Sequence, residues 1–283
     1  MQHAMQHILQ ELEGIYSKPE ISILTQLILE EICGNLHTSI TIDKNNHLSG
    51  SERRKIEDIL HRLKKGEPIQ YIVEKTEFYG LPFKVTPDVL IPRPETEELV
   101  EWILTENRSS PHSILDIGTG SGAIAITLAK KMLHTDVHAW DKSERAVRVA
   151  SENALLNRVS VHFLVRDIFQ PVENNSTFDL IVSNPPYVTE SEKSSMEINV
   201  LDFEPHEALF VADDHALVFY ERIAEVALSA LHDGGEVYFE INRNKGKEVC
   251  DMLDGKGFIS IELRRDISGN ERMVRAVKPR NDG

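Results

Sequence analysis

Apolar residues along the chain follow two regimes. Over roughly the first 70 residues they recur at helical spacing, as in Ile8, Leu9, Leu12 and Ile15. The same spacing returns in Ile23, Leu24, Leu27, Ile28 and Ile32, and again in Ile56, Ile59, Leu60 and Leu63 after Ser51-Glu52. Gly34, Gly50 and Gly66 punctuate these stretches, which predicts a small helical domain over 1–70. The texture then changes. Tyr71, Ile72, Phe78, Tyr79, Phe83 and Val85 surround Gly80-Leu81-Pro82, predicting a hairpin linker over 71–95.

The remaining segment, 96–283, alternates short apolar runs with helical patterns. Ser113–Ile117, Val137–Trp140, Val161–Leu164 and Phe178–Val182 read as buried strands. Helices are expected over Gly122–Met132, Ser143–Leu156 and Ala216–Leu231. A fifth strand at Glu236–Glu240 precedes a helix over Lys245–Leu253 and strands near Phe258–Leu263 and Met273–Ala276. Strand and helix in alternation define an α/β, Rossmann-like chain with a mostly parallel sheet covered on both faces. The polar stretch Glu190–Asn199 is expected as a mobile loop or a short helix.

Composition narrows the class. The 283 residues are 41% hydrophobic and 27% charged, the balance of an ordinary globular protein. A formal charge of −15 argues against a chain whose main task is gripping long nucleic acid, because phosphates are neutralised by Lys and Arg. Cys33 and Cys250 stand alone and far apart, which points to a reduced, cytoplasmic setting. The N-terminal segment lacks the basic and apolar regions of a signal peptide, and no apolar run is long enough to span a membrane. The 12 histidines form no Cys/His cluster at ligand spacing, so no metal is expected.

Candidate chemistry begins after the first strand. In Asp116-Ile117-Gly118-Thr119-Gly120-Ser121-Gly122-Ala123, glycines sit between a strand and a helix. They permit positive φ, close approach of a ligand to the backbone and exposure of helix N-terminal N–H groups. Asp141 follows at the end of the second strand, where a carboxylate receives a ribose hydroxyl. Gly118, Thr119, Gly120, Ser121, Gly122 and Asp141 thus predict a nucleoside-containing ligand without saying which one. Read as G-x-G-x-x-A, Gly118, Gly120 and Ala123 also match a dinucleotide turn. Asp167 and Ile168 follow the third strand and are placed to border an adenine; a turn-capping Asp167 fits the spacing equally well.

Asn184-Pro185-Pro186-Tyr187 directly follows the fourth strand. Two prolines cannot continue a central strand, so a stiff loop leaves the sheet beside the glycine turn. Such a loop suits a planar NH₂ group. The Asn184 side-chain oxygen and the Pro185 carbonyl can accept its two hydrogens while Tyr187 stacks on the plane. The nitrogen lone pair then faces an electrophile.

With these residues in hand, the chain resembles the HemK/PrmC family, the protein-(glutamine-N5) methyltransferases that modify class I peptide chain release factors. The resemblance rests on the glycine turn, Asp141, Arg166-Asp167-Ile168 and Asn184–Tyr187. It extends to Gly66–Tyr71, Phe78, Leu90-Ile91-Pro92-Arg93-Pro94-Glu95-Thr96-Glu97, Glu204–Leu209 and Asp266–Arg272, nearly the whole chain. Asn-Pro-Pro-Tyr alone is shared with adenine-N6 methyltransferases, so the Pro-Arg-Pro-Glu-Thr-Glu run discriminates. The resemblance implies a class I S-adenosylmethionine-dependent methyltransferase sheet. It places the cofactor on Gly118–Gly122, Asp141, Asp167, Ile168 and Asn184. Asn184, Pro185, Pro186 and Tyr187 would hold the Gly-Gly-Gln glutamine of a release factor during direct methyl displacement. The helical domain would contact the factor elsewhere, and the enzyme is expected as a cytoplasmic monomer without stable nucleic-acid or membrane partners. Two local departures are Asp213-Asp214-His215-Ala216, where many relatives carry Asp-Gly, and Ile168, where some carry Trp.

Other residues admit plainer roles. His206 suits a cap or loop hydrogen bond, and Arg93 a carboxylate of either ligand or protein. The basic stretch Arg53, Arg54, Lys55, Arg62, Lys64 and Lys65 suits a solvated helix face. Glu240 either lines the crevice or pairs with an Arg. Competing readings are an adenine-N6 nucleic-acid methyltransferase, a nicotinamide oxidoreductase and an inactive adaptor. The first would need a target-recognition region and a positive groove, against which the −15 charge counts; the second leaves Asn184–Tyr187 idle, and the third is at odds with the intact turn.

Overall fold

The structure, a computed structural model, describes residues 2–34, 48–107, 111–171 and 178–280. The part of the expected helical segment at 35–47 therefore lies outside the described residues. Two compact units emerge, Met1–Glu74 with Glu197–Phe203, and Lys75–Met196 with Glu204–Gly283.

The first unit holds α1 (Gln2–Leu12), α2 (Lys18–Cys33), α3 (Gly50–Leu63) and α4 (Ile69–Val73). Ser17 with Glu20, and Ser49 with Glu52, form reciprocal capping boxes that start α2 and α3. A cap of this kind contributes about 1 kcal/mol by satisfying helix N–H groups left without intrahelical partners. Ile8, Leu12, Leu24, Ile28, Ile56, Leu60 and Leu63 make the core of this unit. Ile15 falls beyond α1, after Gly14 at φ 83°, and is exposed. Tyr71 and Ile72 do not belong to the hairpin their aromatic, branched character suggested. They sit on α4, where Ile69 and Ile72, three residues apart, turn into the helical core.

The second unit opens with a hairpin of β1 (Lys75–Phe78) and β2 (Leu81–Lys84), followed by α5 (Pro94–Glu106). Then come β3 (Ser113–Ile117), α6 (Ala123–Lys131), β4 (Asp136–Asp141), α7 (Glu144–Asn157), β5 (His162–Val165) and β6 (Phe178–Ser183). These four strands lie within about a residue of the positions set by the apolar runs. After β6 the chain passes β7 (Val188–Thr189), a 3-10 turn at Glu190–Ser195, α8 (Ile198–Phe203), which belongs to the first unit, and β8 (Phe210–Val211). It closes with α9 (Val218–Ala230), β9 (Leu231–Glu240), α10 (Gly246–Gly255), β10 (Ile259–Arg265) and β11 (Glu271–Val277). The Glu190–Asn199 stretch is thus helical in two short pieces.

Seven strands form one sheet in the order β10-β11-β9-β6-β3-β4-β5, parallel from β9 to β5 and antiparallel at β11 and β10. Side chains of successive strand residues enter opposite layers. Leu115, Ile117, Ile181, Val237 and Phe239 pack with α9 and α10 residues, while Ile114, Leu180, Val182 and Tyr238 pack with α5 and α6 residues. Burying each Leu, Ile, Val or Phe side chain stabilises the layer by roughly 1.5–3 kcal/mol. From β3 the chain runs outward through β4 and β5, then returns to the other side at β6. The carboxyl ends of β3 and β6 therefore frame the switch point where open α/β sheets take ligands.

The hairpin is fastened to this unit by two asparagines. Asn153, fully buried on α7, accepts the Lys84 N–H at 2.6 Å and donates to the carbonyls of Lys84 and Ser121, both at 2.9 Å. Asn157 donates to the Pro82 carbonyl at 2.8 Å. Hairpin, α7 and the turn after β3 are one connected body.

Candidate active site

A cavity of about 770 Å³ opens at this switch point. That is the size range of small-molecule and cofactor sites. The turn after β3 forms one wall. Gly118 and Gly120 adopt φ 75° and 54°, and among the described residues no atom lies within 4 Å of where a Cβ would stand on either. The backbone here is open to a ligand. Gly122 is different: at φ 84° its missing Cβ would stand 2.7 Å from Ile126 Cδ1 and 3.2 Å from Ala150 Cβ. It is there for the close approach of α6 and α7.

Acids brace the turn. Asp116 is buried; its Oδ2 accepts from Thr119 Oγ1 at 2.7 Å and from the Ala125 N–H at 3.2 Å. Its Oδ1 is buried with no partner among the described residues. Burial pushes the Asp116 carboxyl up to about 7, against the pull of those two hydrogen bonds and with the nearby Asp141 charge adding to it. Asp141, at the end of β4, accepts the Gly120 N–H at 2.9 Å and the Ser143 N–H at 2.8 Å. Burial also raises its carboxyl above the ordinary value, offset in part by these backbone donors.

The opposite wall comes from the loop after β6. Ser183, Asn184, Pro185 and Pro186 line the cavity together with Thr96, and Ser183 Oγ donates to the Ile117 carbonyl at 2.6 Å. Asn184 Nδ2 donates to Thr96 Oγ1 at 3.2 Å, and Thr96 Oγ1 donates to Glu240 Oε2 at 2.6 Å. Tyr187 does not line the cavity. Its hydroxyl donates to Glu240 Oε1 at 3.0 Å, and its carbonyl accepts from Asn242 Nδ2 at 3.1 Å. Burial and the Glu240 charge push the Tyr187 hydroxyl well above its usual range. Glu240 itself is raised by burial, partly countered by the Thr96 and Tyr187 hydroxyls and the Arg272 charge.

The far end carries the residues expected at an adenine. Asp167 and Ile168 both line the cavity. Asp167 Oδ1 also accepts the Phe169 N–H at 2.9 Å, the turn-capping role its spacing allowed. Ile168 is buried in the apolar layer and its carbonyl takes Arg222 Nε at 2.6 Å. Phe169 and Phe219 line the same end with ring centroids 5.3 Å apart, and neither was singled out from the sequence. Their signal was only an aromatic residue after Ile168 and one inside a helix pattern.

Arg93 finds its carboxylate inside the protein. Its Nη2 meets Glu204 Oε1 at 2.6 Å, and Glu204 Oε2 is buried without a partner among the described residues. His206 lines the cavity and packs edge-on against Phe210 at 5.2 Å. Glu240 is not at the crevice surface, as it is fully buried between two hydroxyls. Asp213, in the departing Asp-Asp-His-Ala stretch, accepts from the Ser191 hydroxyl at 2.6 Å and so ties that loop to the 3-10 turn. In the first unit Arg62 pairs with Glu67 and Lys64 with Glu11, while Arg53, Arg54, Lys55 and Lys65 are exposed.

A seven-stranded sheet with this order, a glycine turn braced by strand-end acids and an Asn-Pro-Pro-Tyr loop across the cleft define a class I S-adenosylmethionine-dependent methyltransferase. The open backbone of Gly118 and Gly120, the adjacent Asp141 oxygens and the cavity volume fit that cofactor. Comparison with known proteins agrees. Residues 96–202 match the methyltransferase small domain, and residues 3–73 match the PrmC N-terminal domain. A release factor glutamine methyltransferase of Flavobacterium psychrophilum is 44% identical over 270 residues, covering 94% of this chain and 95% of that one. The protein of the same name from Bacteroides thetaiotaomicron is 45% identical over 271 residues, covering 95% and 97%. A crystal structure of a methyltransferase from Pyrococcus furiosus matches the fold with a TM-score of 0.54 at 19% identity, covering 79% of this chain and 99% of that one. The chain belongs to the release factor glutamine methyltransferase family. Among the described residues no helix is long and apolar enough to cross a membrane.

Proposed function

We propose that this chain methylates the side-chain amide nitrogen of the glutamine in the Gly-Gly-Gln loop of class I peptide chain release factors. The observation that carries this reading is the placement of Asn184 and Pro185 on one wall of a cavity whose other wall is Gly118–Ser121 with Asp141. S-adenosylmethionine, when bound, supplies a methyl group on a positively charged sulfur. Gly118–Ser121 and Asp141 would hold it, with Asp167 and Ile168 at the base; Gly122, expected to share in this, instead lets α6 and α7 pack closely.

Asn184 Oδ1 and the Pro185 carbonyl then accept the two amide hydrogens of the substrate glutamine. An amide nitrogen is a poor nucleophile because its lone pair is delocalised into the carbonyl. Fixing both hydrogens turns that lone pair toward the cavity. Asn184 orients and polarises; the proton lost after transfer goes to solvent. Tyr187, anchored at Glu240, stiffens the loop beside the substrate plane. The helical unit would contact the factor away from its Gly-Gly-Gln loop, and the enzyme would act as a cytoplasmic monomer without stable nucleic-acid partners.

Transfer of a radiolabelled methyl group tests the reading. A class I release factor should be labelled, and the same factor with its glutamine replaced by alanine should not. Equal labelling of the two factors, or labelling only of an adenine-containing oligonucleotide, would overturn it.

A further inference from the structure

Thr96 stands between the two side chains that matter to this wall. Its hydroxyl receives Asn184 Nδ2 at 3.2 Å and gives its hydrogen to Glu240 Oε2 at 2.6 Å. A hydroxyl has one hydrogen and two lone pairs, and an ionised carboxylate only accepts. The Thr96 hydrogen is thus committed to Glu240, and a lone pair is what remains for Asn184. The Tyr187 hydroxyl donates to the other oxygen, Oε1, at 3.0 Å, so both Glu240 oxygens act as acceptors in this arrangement.

The consequence falls on the Asn184 amide. Its oxygen and nitrogen ends are nearly the same shape, and hydrogen-bond partners decide which way it faces. Held by a lone pair of Thr96, the NH₂ end points to Thr96 and the carbonyl oxygen is left for the substrate. A flipped Asn184 would offer hydrogens to a nitrogen that already carries two. Thr96 is 5% exposed and Glu240 1%, so the contact between the hydroxyl and the carboxylate is buried away from water.

We infer that Thr96 and Glu240 are positioning residues that fix the Asn184 amide with its oxygen toward the acceptor NH₂ group. The inference rests on the reading that Asn184 accepts that group's hydrogens. It gives Thr96, within Pro-Arg-Pro-Glu-Thr-Glu, a part in the reaction: the first turn of α5 supplies the contact and the end of β9 supplies the charge behind it.

The test combines a mutant cycle with a spectrum of the free protein. Thr96→Val keeps the shape and removes the hydroxyl. It should lower kcat on the release factor about tenfold with the cofactor KM unchanged, and Thr96→Ser should restore activity to within about threefold. In an Asn184→Asp background both side-chain oxygens accept, so orientation no longer matters and Thr96→Val should cost about twofold or less. Equal costs in the two backgrounds would overturn the inference by making Thr96 a purely structural contact. Nuclear magnetic resonance of the unliganded protein reads orientation directly. The Asn184 side-chain NH₂ should show an Overhauser contact to the Thr96 methyl, and its absence would overturn the inference whatever the substrate. If that contact is present and no release factor is methylated, the substrate reading fails while the orientation stands.

Discussion

The Asp141 carboxylate accepts the Gly120 backbone N–H at 2.9 Å, locking the end of β4 to the glycine turn after β3. With Ser143 N–H on its other oxygen, Asp141 shapes the pocket as well as offering lone pairs to a ribose. Asp141→Ala should therefore act twice. Cofactor affinity by calorimetry should fall at least about tenfold, and unfolding free energy by about 1–3 kcal/mol from the two donors left unpaired. Unchanged affinity would show that the carboxylate is a brace only.

Asp116 makes stability depend on pH. Its folded carboxyl titrates at about 7, raised chiefly by burial, whereas an unfolded Asp titrates near its ordinary value of about 4. Between these values the folded chain holds a proton that the unfolded chain has lost. Stability from this group must therefore fall as pH rises from about 4 to about 7 and level off above, by on the order of 4 kcal/mol at most. Asp116→Asn should remove this slope in denaturant unfolding measured across that range. Parallel curves for the two proteins would contradict the assignment.

The turn glycines predict unequal costs. Gly118→Ala meets open space and carries only the strain of a left-handed φ, about 1 kcal/mol. Gly122→Ala adds a Cβ 3.2 Å from Ala150 Cβ and 3.4 Å from its Cα, besides displacing Ile126 Cδ1, an overpacking cost of about 1–3 kcal/mol more. Thermal unfolding should rank Gly122→Ala clearly below Gly118→Ala; equal losses would mean that α6 and α7 separate freely.

Asn153 holds three backbone groups at once, from Lys84 and Ser121. Asn153→Ala should destabilise the second unit by about 2–3 kcal/mol, since buried donors and acceptors lose their partners together. Proteolysis at the Lys75–Lys84 hairpin should accelerate in step with that loss. A variant as stable as the parent would show that the hairpin needs no such anchor.

The sheet was legible because its strands are short apolar runs bounded by turns, as at Ser113–Ile117 and Phe178–Ser183. Gly118–Ser121 and Asn184–Pro186 announced themselves by residue type, and the fold brings them to one cavity. Helix α5 was not singled out. Its Pro-Arg-Pro start reads as a loop, and Glu95, Glu97, Glu98 and Glu101 interrupt the stripe of Leu99, Val100, Trp102 and Ile103. Pro at the first turn followed by acids was the available signal for a helix start. The Thr96–Glu240 contact spans 144 residues and follows from sheet order, which hydrophobic periodicity does not specify. Tyr71 and Ile72 misled for the converse reason, because aromatic and β-branched residues favour strands until a tertiary core claims them for a short helix.

The most direct measurement is peptide mass spectrometry of a class I release factor incubated with this protein and S-adenosylmethionine. A single added methyl on the Gly-Gly-Gln glutamine is expected, reduced at least about hundredfold in rate by Asn184→Ala. An unmodified glutamine, with adenine methylated in a parallel nucleic-acid reaction, would contradict the account.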